Sequence, residues 1–184
     1  MSHTFFEKNN FYIITGGPGV GKTTLLKALE EEGYQVVPEV AREIIREQVE
    51  TGGDAVPWAN VALYTEFMLK GSVESYMEHV KNENIVFFDR GILDTVCYSE
   101  MTENRISAEM DAYAKNCIYN RKVFILPPWF EIYATDSERK QNWKEAETTY
   151  HKMKAMYERY GYNVIDVPKD SVENRRDFVI FSIT

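Results

Sequence analysis

The sequence has 184 residues and a formal net charge of -8, from 29 Asp and Glu against 21 Lys and Arg. This acidic balance disfavours an extensive surface for nucleic acid or anionic membrane, because attraction to phosphate needs clustered basic residues. The two cysteines are too few for a disulfide scaffold and no apolar run approaches the ~20 residues of a membrane span, so we expect a single soluble, cytoplasmic domain over residues 1–184.

Short apolar segments alternate along the chain with segments of helical periodicity. We predict five strands, at residues 11–15, 35–38, 85–89, 123–126 and 163–167. Each has little internal polarity, as expected for strands that are covered on both faces. The alternation predicts an α/β fold of three layers, in which five parallel strands have helices on both sides.

Four helices are predicted between and after these strands. The first covers 22–32 and ends at Gly33, a residue that adopts the left-handed conformation of a helix terminus at little cost. The second covers 39–50, and the last begins at Ser171, a favourable capping residue. A long helix before Gly161 carries an apolar stripe at intervals of three and four residues, formed by Trp143, Ala146, Tyr150, Met153 and Tyr157.

The strongest motif is a phosphate loop between the first strand and the first helix. Residues 16–23, G-G-P-G-V-G-K-T, fit the pattern G-x-x-x-x-G-K-[ST] in the strand–helix context that the motif requires. Its glycines let main-chain N–H groups converge on an anion, while Lys22 reaches the terminal phosphates and Thr23 can ligate magnesium. An ordinary glycine turn is the alternative. We therefore predict nucleotide binding by Gly16, Gly17, Pro18, Gly19, Val20, Gly21, Lys22, Thr23 and Thr24.

The third predicted strand ends in a carboxylate. Its sequence I-V-F-F-D, residues 85–89, is typical of a Walker B strand, whose acid organises magnesium. Asp89 could instead cap the helix that begins near Gly91. Since a dication that bridges phosphates needs anionic oxygen nearby, the phosphate loop favours Asp89 as a magnesium ligand beside Thr23.

Several further segments resemble a known family. The segments are D-R-G-I-L-D at 89–94, E-V-A-R-E-I-I at 39–45, G-G at 52–53 with P-W at 57–58, and D-S-E-R at 136–139. Together with the phosphate loop they are similar to the AAA-type family of small predicted ATPases and kinases related to nicotinamide riboside kinase domains. Thymidylate and deoxynucleoside kinases carry a similar acid–arginine pair. The resemblance implies a P-loop NTPase fold and phosphoryl transfer from ATP.

The resemblance also implies roles on the acceptor side. It places Glu39 where related kinases have an acid that accepts or orients the proton of the acceptor hydroxyl, with Arg42, Arg90 and Asp94 as substrate-binding residues. Glu39 could instead be a first-turn acid favoured by the helix dipole. The two arginines could be solvated or paired with Glu43 or Asp94.

A polar stretch at about 131–143 matches the position of a mobile lid in related kinases. Arg139 would there stabilise charge on the transferring phosphoryl group, the alternative being an exposed helical arginine. The stretch 166–175 follows the fifth strand, where such kinases close around the base. Aromatic residues and Met of 56–79 could form a wall over the acceptor, although helix packing explains most of them.

These observations predict a magnesium-dependent phosphotransferase that moves the γ-phosphoryl group of ATP to a small, nucleoside-like acceptor. ATP is favoured over GTP because the sequence has no N-K-x-D motif. The expected catalytic residues are Lys22, Glu39, Asp89 and Arg139. The alternative is a regulatory sensor that binds ATP or GTP and hydrolyses it slowly. The sequence leaves the acceptor and the oligomeric state open.

Overall fold

In the computed structural model, which describes residues 6–132 and 143–184, five parallel strands form the main sheet. All five predicted strands are confirmed, and each differs from its predicted limits by one residue at one end. The strand order is β3-β4-β2-β6-β7, and β1 and β5 pair separately. The strands are β1 (Phe6–Glu7), β2 (Phe11–Gly16), β3 (Gln35–Val37), β4 (Val86–Asp89), β5 (Cys117–Ile118), β6 (Lys122–Leu126) and β7 (Asn163–Asp166).

The central strand β2 carries the phosphate loop at its carboxyl end. In the parallel register Ile14 lies opposite Asp89 of β4, and Gly16 lies opposite Leu126 of β6. The carboxyl ends of parallel strands meet at one edge of a sheet, where ligands of open α/β folds bind. The strand order therefore brings Asp89 and the loop together at that edge.

Seven helices surround the sheet in the described part of the chain. The four helices predicted with limits are confirmed as α1, α2, α6 and α7, and α3 and α4 follow Trp58 and Gly91 as expected. The helix α5 was not predicted, because only Met110 and Ala114 of it are buried and its apolar periodicity is weak. The helices are α1 (Lys22–Glu31), α2 (Val40–Thr51), α3 (Val61–His79), α4 (Ile92–Met101), α5 (Ala108–Asn116), α6 (Trp143–Arg159) and α7 (Val172–Ile183).

The core is divided by the sheet into two apolar layers. Phe11 and Ile13 of β2 pack in the layer formed with α3, α4, α5 and α6. Tyr12 and Ile14 point to the opposite face and pack with α1 and α7. This alternation follows from the two-residue repeat of a strand, and it confirms the predicted three-layer architecture.

The separate pair of β1 and β5 was not predicted. Each strand has two residues, too few to produce a recognisable pattern. The Tyr76 hydroxyl of α3 lies 2.8 Å from the Phe6 carbonyl oxygen and 2.9 Å from that of Ile118, so it donates to this junction. One buried tyrosine thereby connects α3 to both short strands.

Cys97 and Cys117 are buried and free, as predicted for small apolar side chains. Among the helices of residues 6–132 and 143–184, none combines the length and the apolar character that crossing a bilayer would require.

Candidate functional site

The phosphate loop lines an open cavity at the start of α1. Gly16, Gly19 and Gly21 have φ angles of 149°, 74° and 82°, in the region that favours glycine. The loop thus turns main-chain N–H groups and the amino end of α1 towards one space, a geometry suited to an anion. This phosphate pocket has a volume of about 630 Å³, and its loop residues are Gly17, Pro18, Gly19, Gly21, Lys22, Thr23 and Thr24. The remaining predicted loop residues, Gly16 and Val20, are buried and do not line the pocket.

Lys22 is buried at the base of the phosphate pocket. Its ammonium group donates a hydrogen bond to Asp89 and lies 3.7 Å from Glu39 Oε2. Burial raises the pKa of Asp89, and Lys22 offsets only part of this rise. The structure therefore brings together three of the four residues that the sequence predicted as catalytic.

Glu39 precedes α2 and is surrounded by cations. Its side chain is only 11% exposed, and it accepts from Arg90 Nε at 2.8 Å and pairs with Arg42 Nε at 2.9 Å. Burial alone would raise the pKa of Glu39, but Arg90, Lys22 and Arg42 together lower it below its usual range. Glu39 makes no capping hydrogen bond to α2, so its carboxylate pairs with these cations and not with the helix terminus.

Arg90 follows β4 in a left-handed backbone conformation, with φ of 74°. This conformation is unfavourable for a residue with a side chain. It places the guanidinium between Glu39 and Asp94, with Nη1 3.4 Å from Asp94 Oδ1. Of the pairings considered from the sequence, Arg90 therefore makes the one with Asp94, whereas Arg42 pairs with Glu39.

Asp94 is a buried junction between three elements. Its carboxylate accepts from Gly91 N at 2.7 Å, from the Thr15 hydroxyl and from the Tyr157 hydroxyl at 2.5 Å. The bond to Gly91 N caps α4. Capping of this helix was the alternative role considered for Asp89, and Asp94 performs it instead. The predicted substrate-binding role of Asp94 stays a prediction, and its contacts connect α4 with β2 and α6.

A second cavity, of about 260 Å³, adjoins the phosphate pocket. Both cavities are lined by Gly17, Pro18, Glu39 and Arg90. The rings of Tyr64 and Tyr98 meet edge to face, with centroids 5.6 Å apart. The other walls of this second cavity, which we call the acceptor pocket after the role proposed below, are largely apolar. They come from α3, α4 and α6 and include Met68, Cys97, Met101 and Met153.

Arg175 and Trp129 are contributors to the site that sequence reasoning did not single out. Arg175 of α7 lines the phosphate pocket, and its Nη1 donates to the Gly21 carbonyl oxygen at 3.4 Å. The Trp129 ring lies 5.7 Å from the same guanidinium. Arg175 is 154 residues from Gly21 in sequence, so no local motif could have related the two.

Arg139 and most of the predicted lid, 131–143, lie outside the described residues. Within the described ranges, no three His, Cys, Asp or Glu side chains cluster as a metal site. Magnesium at a phosphate site takes one or two protein oxygens, with phosphates and waters as its other ligands. Asp89, in contact with Lys22, and Thr23, in the phosphate pocket, fit that donor set.

Comparison with known proteins gives a consistent assignment. A family model described as an AAA domain matches residues 11–175. A nucleotide-binding protein of Syntrophotalea carbinolica is 34% identical over 107 residues, which are 54% of this chain and 36% of that protein. The chain thus spans about a third of the length of this relative.

Two solved structures share the fold. The NadR protein in complex with NR superposes with a TM-score of 0.70 at 20% identity, over 97% of this chain and 51% of NadR. Thymidylate kinase from Ehrlichia chaffeensis superposes with a TM-score of 0.63 at 18% identity, over 96% of this chain and 98% of the kinase. These similarities show a P-loop kinase fold.

Proposed function

The chain belongs to the AAA domain family whose model it matches, and from this premise we propose that it is a magnesium-dependent phosphotransferase. It would move the γ-phosphoryl group of ATP to a hydroxyl of a small, nucleoside-like metabolite. The observation that carries the proposal is that the phosphate pocket and the acceptor pocket meet at Glu39 and Arg90. A donor phosphate and an acceptor hydroxyl bound there would be adjacent.

The donor side relies on the phosphate loop. Its N–H groups and the ammonium of Lys22 would bind the terminal phosphates, for which Lys22 must exchange its contact with Asp89. Asp89 and Thr23 would hold magnesium, whose positive charge would offset the negative charge that develops on the phosphates. The solved complex of a NadR protein with NAD and AMP-PNP, an ATP analogue, supports ATP as the donor.

The acceptor side relies on Glu39. Its carboxylate is ionised at neutral pH, because the cations around it lower its pKa. It can therefore orient a hydroxyl and accept its proton as that oxygen bonds to the γ-phosphorus and the bond from the γ-phosphorus to ADP breaks. Arg90 and Arg42 hold the carboxylate in place. The flat rings and thioethers of the acceptor pocket suit an apolar or aromatic group on the acceptor, such as a nucleobase.

The test is a screen for ADP release that depends on an acceptor. The purified protein with Mg·ATP is offered nucleosides, nucleotides, ribosylated vitamins and sugars, with Lys22→Ala as the blank. We expect at least one hydroxyl-bearing compound to accelerate ATP consumption by orders of magnitude, because alignment of the two reactants is the main source of catalysis. Slow hydrolysis that no compound accelerates would instead identify a nucleotide sensor.

A further inference from the structure

Arg175 carries an unusual buried charge. Its side chain is only 5% exposed, and no carboxylate of the described residues lies within 4 Å of its guanidinium. Among the same described residues Nε has no hydrogen-bond partner, and the guanidinium makes one hydrogen bond, to the Gly21 carbonyl oxygen. A buried charge without a counter-charge is costly, and an anion bound beside it would relieve that cost.

The phosphate loop is shaped to admit this guanidinium. A Cβ atom at Gly21 would lie 2.7 Å from Arg175 Nη1, so a side chain there would require the guanidinium to shift from this position. The Trp129 ring supports the guanidinium, 5.7 Å from its centroid. Burial lowers the pKa of Arg175, and Asp170 and Glu173 act against this from a distance. The guanidinium remains charged at neutral pH.

The position of Arg175 indicates which part of a nucleotide it meets. Glu39 and Arg90 line both pockets. Arg175 and Val172 line the phosphate pocket but not the acceptor pocket. Arg175 therefore lies on the side of the phosphate pocket that is remote from the acceptor. The phosphates that stay with the nucleotide after transfer would occupy this side.

We propose that Arg175 binds the non-transferred phosphates of a nucleoside di- or triphosphate, from its position beside Gly21 of the loop. This inference rests on the proposed nucleotide site. It adds a positive charge from α7 that would face the negative phosphates. The ligand class is nucleotides with at least two phosphates. Because these phosphates are bound before and after transfer, Arg175 contributes to affinity for ATP and ADP equally and does not act selectively on the transition state.

The test compares Arg175→Met with Arg176→Met, a control at the next position whose guanidinium pairs with Glu32 and Asp177. Calorimetric titrations use Mg·ATP, Mg·ADP and adenosine. For Arg175→Met we expect losses of about 10- to 100-fold in affinity for both ATP and ADP, no change for adenosine, and wild-type values for Arg176→Met. In turnover assays KM for ATP rises while kcat stays within about twofold.

Wild-type affinity of folded Arg175→Met for ADP would overturn the inference, as would an equal loss for adenosine. Absence of nucleotide binding by the wild-type protein would overturn the proposed function itself. A second measurement leaves Arg175 intact and uses Trp129 as the reporter, in the background Trp58→Phe and Trp143→Phe. ADP should change the Trp129 emission as the guanidinium turns towards phosphate, and an unchanged spectrum at saturating ADP would contradict the inference.

Discussion

At the residue scale, Glu39→Gln tests the acceptor-side role proposed for Glu39. We expect acceptor-dependent turnover to fall by about 10²- to 10⁴-fold, because the amide cannot take the hydroxyl proton. The affinity for Mg·ATP should change little. Glu43→Gln is the control, since Glu43 lies four residues further along, in the first turn of α2, and is exposed.

The pH profile of the same enzyme is a further readout for Glu39. Its pKa lies below the usual range, so the carboxylate is already ionised near neutrality and should produce no acid limb between about pH 6 and 8. Steady-state rates with the acceptor identified in the screen measure this. Full acceptor-dependent turnover by Glu39→Gln would show that another group takes the proton.

Arg90 has a guanidinium that contacts Glu39 and Asp94 and a backbone in the left-handed conformation. Two variants separate the effects of these features on stability. Both Arg90→Gly and Arg90→Ala remove the contacts with Glu39 and Asp94, but only glycine adopts φ near 74° without a steric cost. We expect Arg90→Gly to exceed Arg90→Ala in free energy of unfolding by about 1 kcal/mol, measured by urea denaturation. Equal stabilities would mean that the backbone relaxes when the guanidinium is lost.

At the element scale, Tyr157 connects α6 to α4 through Asp94. Tyr157→Phe removes a buried hydroxyl that donates to this carboxylate, and we expect a loss of about 2 kcal/mol in the free energy of unfolding. Tyr150→Phe is the matched control on the same helix, because its hydroxyl bonds to Asp166 near the surface. That change should cost less than about 0.5 kcal/mol. A similar loss for both variants would contradict the special role of Asp94.

The elements with a strong local signal were predictable from the sequence. The main strands are continuous apolar segments, and Gly33 and Ser171 mark helix limits in the structure as they do in the sequence. The pair β1–β5 and the helix α5 were missed for the same reason. Two residues, or two buried positions on nine, provide too little periodicity.

At the scale of the whole molecule, nucleotide binding should stabilise the fold, because the phosphate pocket joins residues from α1, α2 and α7. A ligand at 100 times its Kd adds about 2.7 kcal/mol. For a chain of this length that raises Tm by roughly 5–10 °C. Scanning calorimetry with Mg·ATP measures the shift, and Lys22→Ala should abolish most of it. An unchanged wild-type Tm at millimolar Mg·ATP would contradict nucleotide binding.

The candidate site was predictable only in part. The phosphate loop is a contiguous motif, and Asp89 ends a strand beside it. The strand order, the Glu39–Arg90 contact and the approach of Arg175 to Gly21 arise from packing between distant segments. Such contacts leave no spacing in the sequence, which is why Tyr98 and Arg175 were not singled out as contributors to the site.

The acceptor pocket takes most of its walls from α3, α4 and α6, whereas the phosphate loop follows the central strand β2. Substitutions at Met68 and Met153 would therefore change the pocket without replacing a residue of the loop, and flexible methionines tolerate replacement well. A combinatorial library at these two positions would sample new acceptors on an intact phosphoryl donor. The layout makes this small chain a convenient scaffold for directed evolution of altered selectivity.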